Sequence, residues 1–295
     1  MSSPIVLSHR EIEPILTARQ KGEGTVSTSL DLGLTRVDVS LDVERVVFPD
    51  GQWLSWESLE EISQSETGCF LVEGNLAEKI QMFSEFLDRA YSLMPTEQAP
   101  TLLVSGIPMH RIKGTNPQRD TLTKIRAAAP VTGQVLDTCT GLGYTAIEAA
   151  RTAEQVVTIE LDPTVLEVAR LNPWSRELFA HPRIKQVVGD SFDVIQDFED
   201  ESFSRIIHDP PMFSLAGELY SGEYYRHLYR VMQPKGRLFH YIGDLGSRSG
   251  RNVVKGVARR LQEAGFSRVV RKPGAFGVVA YKGSDSPERW NLGPG

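Results

Sequence analysis

Four short strings in this chain carry residue types that do chemistry. The first is Val135-Leu-Asp-Thr-Cys-Thr-Gly-Leu-Gly-Tyr-Thr-Ala146, which reads as a buried strand ending in a carboxylate, a glycine turn and a helix start. Gly141 and Gly143 let backbone approach a ligand closely, and the helix that follows points unpaired N–H groups at it. Asp137 sets this loop apart, because a carboxylate repels a pyrophosphate but attracts an amine or hydroxyls. The second string, Gln155-Val-Val-Thr-Ile-Glu160, puts an acid 19 positions after Gly141. Doubly wound folds place a ribose-binding carboxylate at about that spacing. The third, Gly189-Asp-Ser-Phe192, ends another strand with an acid next to an aromatic ring. The fourth is Arg205-Ile-Ile-His-Asp-Pro-Pro-Met-Phe213.

Three acids at the tips of three successive strands, with the glycine loop after the first, suit a cationic nucleoside. S-adenosylmethionine (SAM) is the expected cofactor. These strings resemble the cofactor motifs of class I SAM-dependent methyltransferases. The resemblance implies that Asp137, with Thr138, Cys139, Gly141 and Gly143, would surround the amino-acid portion of SAM, Glu160 and Leu161 its ribose, and Asp190, Ser191 and Phe192 its adenine. NAD is the rival, since Gly141-Leu-Gly-Tyr-Thr-Ala146 satisfies G-x-G-x-x-A. Asp137 beside a pyrophosphate and the lack of an obvious hydride-transfer partner count against it.

In the fourth string Pro210 and Pro211 donate no N–H and stiffen the turn, leaving carbonyls as acceptors. Asp209 with the Pro210 carbonyl would then grip an amino group and aim its lone pair at the sulfonium. Such an acceptor-only site also stabilises positive charge developing on nitrogen. Phe213 is a candidate stacking residue, displaced one position by Met212. His208 is a candidate base or, with better odds, a packed strand-end residue. Tyr220, Tyr224 and Tyr225 read as core with a secondary chance of covering the substrate.

The elements that must hold these strings follow from periodicity. From Gly133 onward strands alternate with helices, at Gln134–Asp137, Gln155–Glu160, Ile184–Val188, Arg205–His208 and Arg237–Ile242, which predicts a parallel sheet. Helices are predicted to start near Tyr144, Pro163, Ser191 and Glu218, with another over Asn252–Ala264. Asp162-Pro163 is an N-cap followed by proline, and Gly265 is placed to end the last helix. Ser267–Arg271 and Gly277–Tyr281 flank Pro273-Gly274 and are expected to pair antiparallel. Upstream, residues from Thr25 and from Arg36 alternate as half-buried strands, and Phe48-Pro-Asp-Gly51 makes a turn. Leu76–Met94 has Ile80, Phe83, Phe86, Leu87 and Leu93 near helical spacing and predicts an amphipathic helix, followed by a linker over Pro95–Pro100.

A parallel sheet closed by a hairpin resembles the class I SAM-dependent methyltransferase fold, a doubly wound, Rossmann-like α/β architecture. Here it is preceded by a small α+β N-terminal domain. The expected domains are 1–100, 101–283 and a loose tail over 284–295. Cys139 stands where that family's first motif has its first glycine. Asp209-Pro210-Pro211 resembles the Asp/Asn-Pro-Pro-aromatic motif of amino-methyltransferases. With Ser214–Ser221, Asn172–Ser175 and Phe239-His-Tyr241 the chain is similar to a predicted methyltransferase family of archaea and some cyanobacteria. The resemblance implies methyl transfer to a nitrogen held by Asp209-Pro210-Pro211, on a small amine, a protein amide or an RNA base. The alternative is a spermidine-synthase-like aminopropyltransferase using decarboxylated SAM, and a third reading is a SAM-binding regulator without turnover.

Bulk properties set outer bounds. The 295 residues include two cysteines, Cys69 and Cys139, and six histidines without metal-ligand spacing, so a cytoplasmic, metal-free protein is expected. No apolar run reaches a membrane-spanning length. Residues 1–100 carry 7 Lys+Arg against 17 Asp+Glu, and the remainder 25 against 21. Such an acidic half suits a cationic partner, and charge alone does not support nucleic-acid binding. Oligomeric state is not legible.

Overall fold

The computed structural model describes residues 4–213, 215–245 and 248–283. They form two compact units, one of residues up to Arg119 with Asp162–Phe179, the other of Asp120–Leu161 with the described residues from Ala180 onward.

The first unit is built from antiparallel sheets. Strands β1 (Ile5–Leu7), β6 (Phe70–Glu73) and β7 (Leu76–Lys79) form one, in the order β1-β6-β7. Strands β2 (Thr25–Thr28), β3 (Val37–Leu41), β4 (Arg45–Val47) and β5 (Trp53–Ser55) form a meander. Strands β8 (Gln81–Ser84), β9 (Arg89–Met94), β10 (Thr101–Val104) and β11 (Ile107–Pro108) form a third sheet. Helices α1 (His9–Gln20) and α2 (Trp56–Gln64) bury Ile12, Ile15, Leu59 and Ile62 in a core shared with β1 and β3–β6. A capping box starts α1, in which the Ser8 N–H and hydroxyl both donate to the Glu11 carboxylate, at 2.9 and 2.6 Å.

Leu76–Met94 is three strands, not the expected helix. Two backbone reversals decide this, Gly74 at φ 66° and Asp88 at φ 52°, each followed by antiparallel pairing. Burial then follows a period of two: Tyr91 and Leu93 are buried on β9, while Phe83 and Phe86 are exposed. Helix-like spacing of apolar residues in that stretch came from hairpin residues on different strands. Pro95–Pro100, expected as a linker, joins β9 to its partner β10 within one sheet.

In the second unit, helix α3 (Pro117–Ala128, from Asp120 onward) leads into β12 (Gln134–Asp137), α4 (Tyr144–Ala150) and β13 (Gln155–Glu160). Helix α5 (Pro163–Leu171) belongs to the first unit, capped by Asp162, whose side chain accepts from the Thr164 N–H at 3.0 Å. Then follow α6 (Arg176–Ala180), β14 (Ile184–Val188), α7 (Ser191–Val194), β15 (Phe203–His208), α8 (Gly222–Val231) and β16 (Met232–Tyr241). Last come α9 (Arg248–Glu263), β17 (Arg268–Lys272) and β18 (Gly277–Tyr281). The helix expected near Glu218 is a single 3-10 turn over Gly217–Tyr220, and α8 starts only after the Ser221 cap. The expected 284–295 tail and Ser214 lie outside the described residues.

The central sheet has the order β14-β13-β12-β15-β16-β18-β17. Strands β12 to β16 pair in parallel, while β18 pairs antiparallel with both β16 and β17. This is a Rossmann-like α/β fold around a mixed sheet. From β12 the chain winds first to β13 and β14 on one side and later to β15 on the other. The crevice beyond the carboxyl ends of β12 and β15 is therefore the topological switch point, the usual ligand site of such sheets. Val257, Ala258 and Leu261 on α9 bury at helical spacing in the same core as Leu136, Ile206 and Leu238 from the sheet. Among the described residues no helix is long and apolar enough to cross a membrane.

Candidate functional site

Asp137 ends β12 and is fully buried. Its Oδ2 accepts from the Thr145 hydroxyl at 3.1 Å and the Thr158 hydroxyl at 2.9 Å. Its Oδ1 is buried without a hydrogen-bond partner among the described residues. Burial, reinforced by Asp209 and Glu160, pushes this carboxyl up to about 8, against the pull of the two threonines. A buried polar atom left unmatched by the protein costs stability.

After Asp137 the chain turns through Gly141 (φ 53°) and Gly143 (φ 78°), and Gly143 stands at the N-cap of α4. That left-handed backbone explains the glycines. The Glu160 carboxylate, at the end of β13, accepts from the Gly141 N–H at 2.8 Å. Thr140 is tied to β13 by its N–H on the Ile159 carbonyl, 2.8 Å, and by its hydroxyl beside that of Thr158, 2.7 Å. The glycine loop is thus fastened along one side by its neighbouring strand. Cys139 is a free thiol packed against the core, and burial raises its titration.

Asp190 lies two residues past β14 and caps α7, its Oδ1 accepting from the Phe192 N–H at 2.8 Å. Ser191 is buried, and its hydroxyl shares a 2.6 Å hydrogen bond with Tyr224. Phe192 stacks on Tyr224 at 5.8 Å between ring centres. Leu161 is partly exposed just past β13. The structure thus places Asp137, Glu160 and Asp190 at the carboxyl ends of adjacent strands of one sheet.

His208 closes β15 and is fully buried. Its Nε2 meets the Leu219 carbonyl at 3.0 Å, an atom that only accepts, so Nε2 carries the proton. Nδ1 then accepts from the Thr138 hydroxyl at 2.7 Å. With both nitrogens engaged and burial pushing its titration down to about 3, the ring is neutral. His240, 4.4 Å away between ring centres, bonds to the Tyr225 hydroxyl through Nε2 at 2.8 Å. Tyr220, Tyr224 and Tyr225 are core residues around this pair, their hydroxyls raised chiefly by burial.

The Asp-Pro-Pro string is held more tightly than the sequence suggests. The Tyr220 hydroxyl donates to the Pro211 carbonyl at 3.1 Å, so that acceptor is not free. Asp209 pairs through Oδ2 with the Lys124 ammonium at 2.6 Å. Lys124 also meets Asp120 Oδ2 at 3.0 Å. Phe213 is exposed and meets Tyr220 edge-on at 5.4 Å. Lys124 and Asp120 escaped the sequence reading, their only local sign being the i, i+4 acid–lysine spacing on a helix.

The sheet and the carboxylates at the ends of its adjacent strands, beside the switch point, define a Rossmann-like α/β protein. The chain belongs to the same family as the uncharacterized protein MJ1233 of Methanocaldococcus jannaschii, 45% identical over 263 residues, 87% of this chain and 89% of that protein. A spermine/spermidine synthase domain model matches residues 136–245. A polyamine aminopropyltransferase of Aeropyrum pernix is 36% identical over 91 residues, 29% of each chain. Among solved structures, a spermidine synthase in complex with the transition state analogue AdoDATO superposes with a TM-score of 0.57 at 18% identity, covering 71% of this chain and 76% of that one. These findings overturn the expectation of methyl transfer. The matched spermine/spermidine synthase model covers both the glycine loop and Asp209-Pro210-Pro211. The two donors share an adenosyl sulfonium and differ only in a carboxylate, so the loop residues alone did not separate them.

Proposed function

We propose that this protein transfers an aminopropyl group from decarboxylated SAM to an amine of the polyamine type. The observation that carries the reading is Asp137, a buried carboxyl with one oxygen unmatched and Glu160 and Asp209 close enough to raise its titration. That setting favours a donor with two positive charges, a sulfonium and an ammonium, over one that also carries a carboxylate. Lys124 is engaged by Asp120 and Asp209, and Arg260 donates to the Tyr220 carbonyl at 2.9 Å. The matched domain model and the aminopropyltransferase relative support the same choice.

In this reading Asp137 accepts from the propylammonium of the donor, with Thr138, Cys139, Gly141 and Gly143 forming the loop around its chain. Glu160, beside Leu161, accepts from the ribose hydroxyls, and Asp190, Ser191 and Phe192 border the adenine. Asp209, on the stiff Pro210-Pro211 turn, orients the acceptor amine, and Phe213 covers it. His208, neutral and bound at both nitrogens, positions the β15 end rather than accepting a proton. The amine lone pair forms a bond to the propyl carbon attached to sulfur. The carbon–sulfur bond breaks, its electrons neutralise the sulfonium to a thioether, and the amine releases a proton. Most of the catalysis is alignment of these groups.

The test is mass spectrometry of purified protein with a diamine acceptor and either decarboxylated SAM or SAM. An aminopropylated amine from the first donor and nothing from the second is expected. Transfer from SAM alone would sink the proposal.

A further inference from the structure

Lys124 lies on α3 with only 2% of its side chain exposed, a depth at which an ammonium persists only when paired. Among the described residues its ammonium meets Asp209 Oδ2 at 2.6 Å, Asp120 Oδ2 at 3.0 Å and the Tyr241 ring centre at 4.5 Å. Asp120 is fully buried one turn earlier on the same helix, so the helix carries both the lysine and its anchor. Asp209 is 85 residues away in sequence and 19% exposed. Asp120 alone would satisfy a lysine needed for packing. A second carboxylate, reaching from the tip of β15, gives the ammonium another task. Burial lowers the tendency of Lys124 to hold its proton, but Asp209 and then Asp120 outweigh it, and the group stays charged above the usual lysine range.

We propose that Lys124 is a positioning residue that, clamped by Asp120, holds the Asp209 carboxylate ionised and in one rotamer so that it orients the acceptor amine. The inference rests on the aminopropyl-transfer reading for the identity of that amine, and on the geometry alone for the hold on Asp209. A rigid, charge-assisted hydrogen bond at 2.6 Å fixes direction as well as charge.

Lys124→Met, similar in length and apolar, is expected to lower kcat about 100-fold while leaving the donor KM within about threefold, since the loss is in alignment. In an Asp209→Asn background the same change is expected to cost less than about threefold more, because it acts through Asp209. Equal losses in both backgrounds would show a merely structural lysine and overturn the proposal. Should Lys124→Met not fold, Asp120→Asn keeps the lysine and loosens its anchor. About a tenfold fall in kcat is then expected, with the same non-additivity. Carbon-13 NMR of the Asp209 carboxyl gives a readout independent of turnover: in Lys124→Met its titration is expected to move up by about one unit or more. An unmoved titration overturns the hold on Asp209. Wild type that transfers no aminopropyl group refutes the reading under Proposed function, and the carbon-13 titration still decides the role of Lys124.

Discussion

Asp137→Asn is expected to stabilise the protein and to weaken donor binding at once. Burial raises the carboxyl from 3.8 to about 8, so the folded state keeps a proton that the unfolded chain releases. Ionisation therefore favours the unfolded chain increasingly from about pH 4 to about pH 8, at roughly 1.4 kcal/mol per pH unit, and levels off above that. At pH 7 the wild type forgoes about 4 kcal/mol by this route. Asparagine never ionises, but it buries an N–H2 where Oδ1 has no partner, at a cost of about 1–3 kcal/mol. The net expectation at pH 7 is a gain of about 1–3 kcal/mol, or roughly 2–6 °C in Tm for a chain of this size. The assay is denaturant unfolding of both proteins from about pH 5 to about pH 9, with the stability gap widening as pH rises and flattening near 8. Donor affinity is expected to fall by about 1.5–3 kcal/mol, because asparagine cannot give up a proton to become the counter-charge of the donor's ammonium, measured by calorimetry with decarboxylated SAM. A gap independent of pH would refute the buried, proton-holding carboxyl, and unchanged donor affinity would refute its role.

Glu160→Gln should weaken donor binding by about 1.5–3 kcal/mol, since a neutral amide replaces a charged acceptor; calorimetry with the nucleoside product checks it, and unaltered affinity removes the ribose assignment. Asp209→Ala should keep donor affinity within about threefold yet lower turnover about 100-fold or more, and a fully active variant would exclude Asp209 from the reaction. Gly277→Ala should destabilise by about 3 kcal/mol or more, because its Cβ would run into the His240 carbonyl on the adjacent strand. A melting temperature equal to wild type would contradict that packing. Tyr225→Phe should cost about 1–2 kcal/mol by leaving the buried His240 Nε2 unmatched, read by denaturant unfolding, with a near-neutral effect counting against the 2.8 Å bond.

Strand ends, loops and caps from Gln134 to Val188 were legible because their causes are local. Gln134–Asp137, Gln155–Glu160 and Ile184–Val188 are strands at the residues read from the chain. The Asp162 cap before Pro163 and the left-handed glycines of the loop follow from rules that act within a few residues. Leu76–Met94 misled because apolar residues brought together across hairpins mimic the spacing of one helical face, and only strand pairing shows which of them share a side.

The sequence by itself determined that acids would crown successive strands around a glycine loop, because strand alternation and turn chemistry place them there. Tertiary structure alone decided what those acids are worth. Lys124 meets Asp209 across 85 residues, His208 has its tautomer set by Thr138 and Leu219, and Asp137 keeps its proton because the sheet shuts out water. Desolvation and charge pairing depend on which distant groups the fold brings within a few ångströms, and no local pattern of residue types encodes that distance.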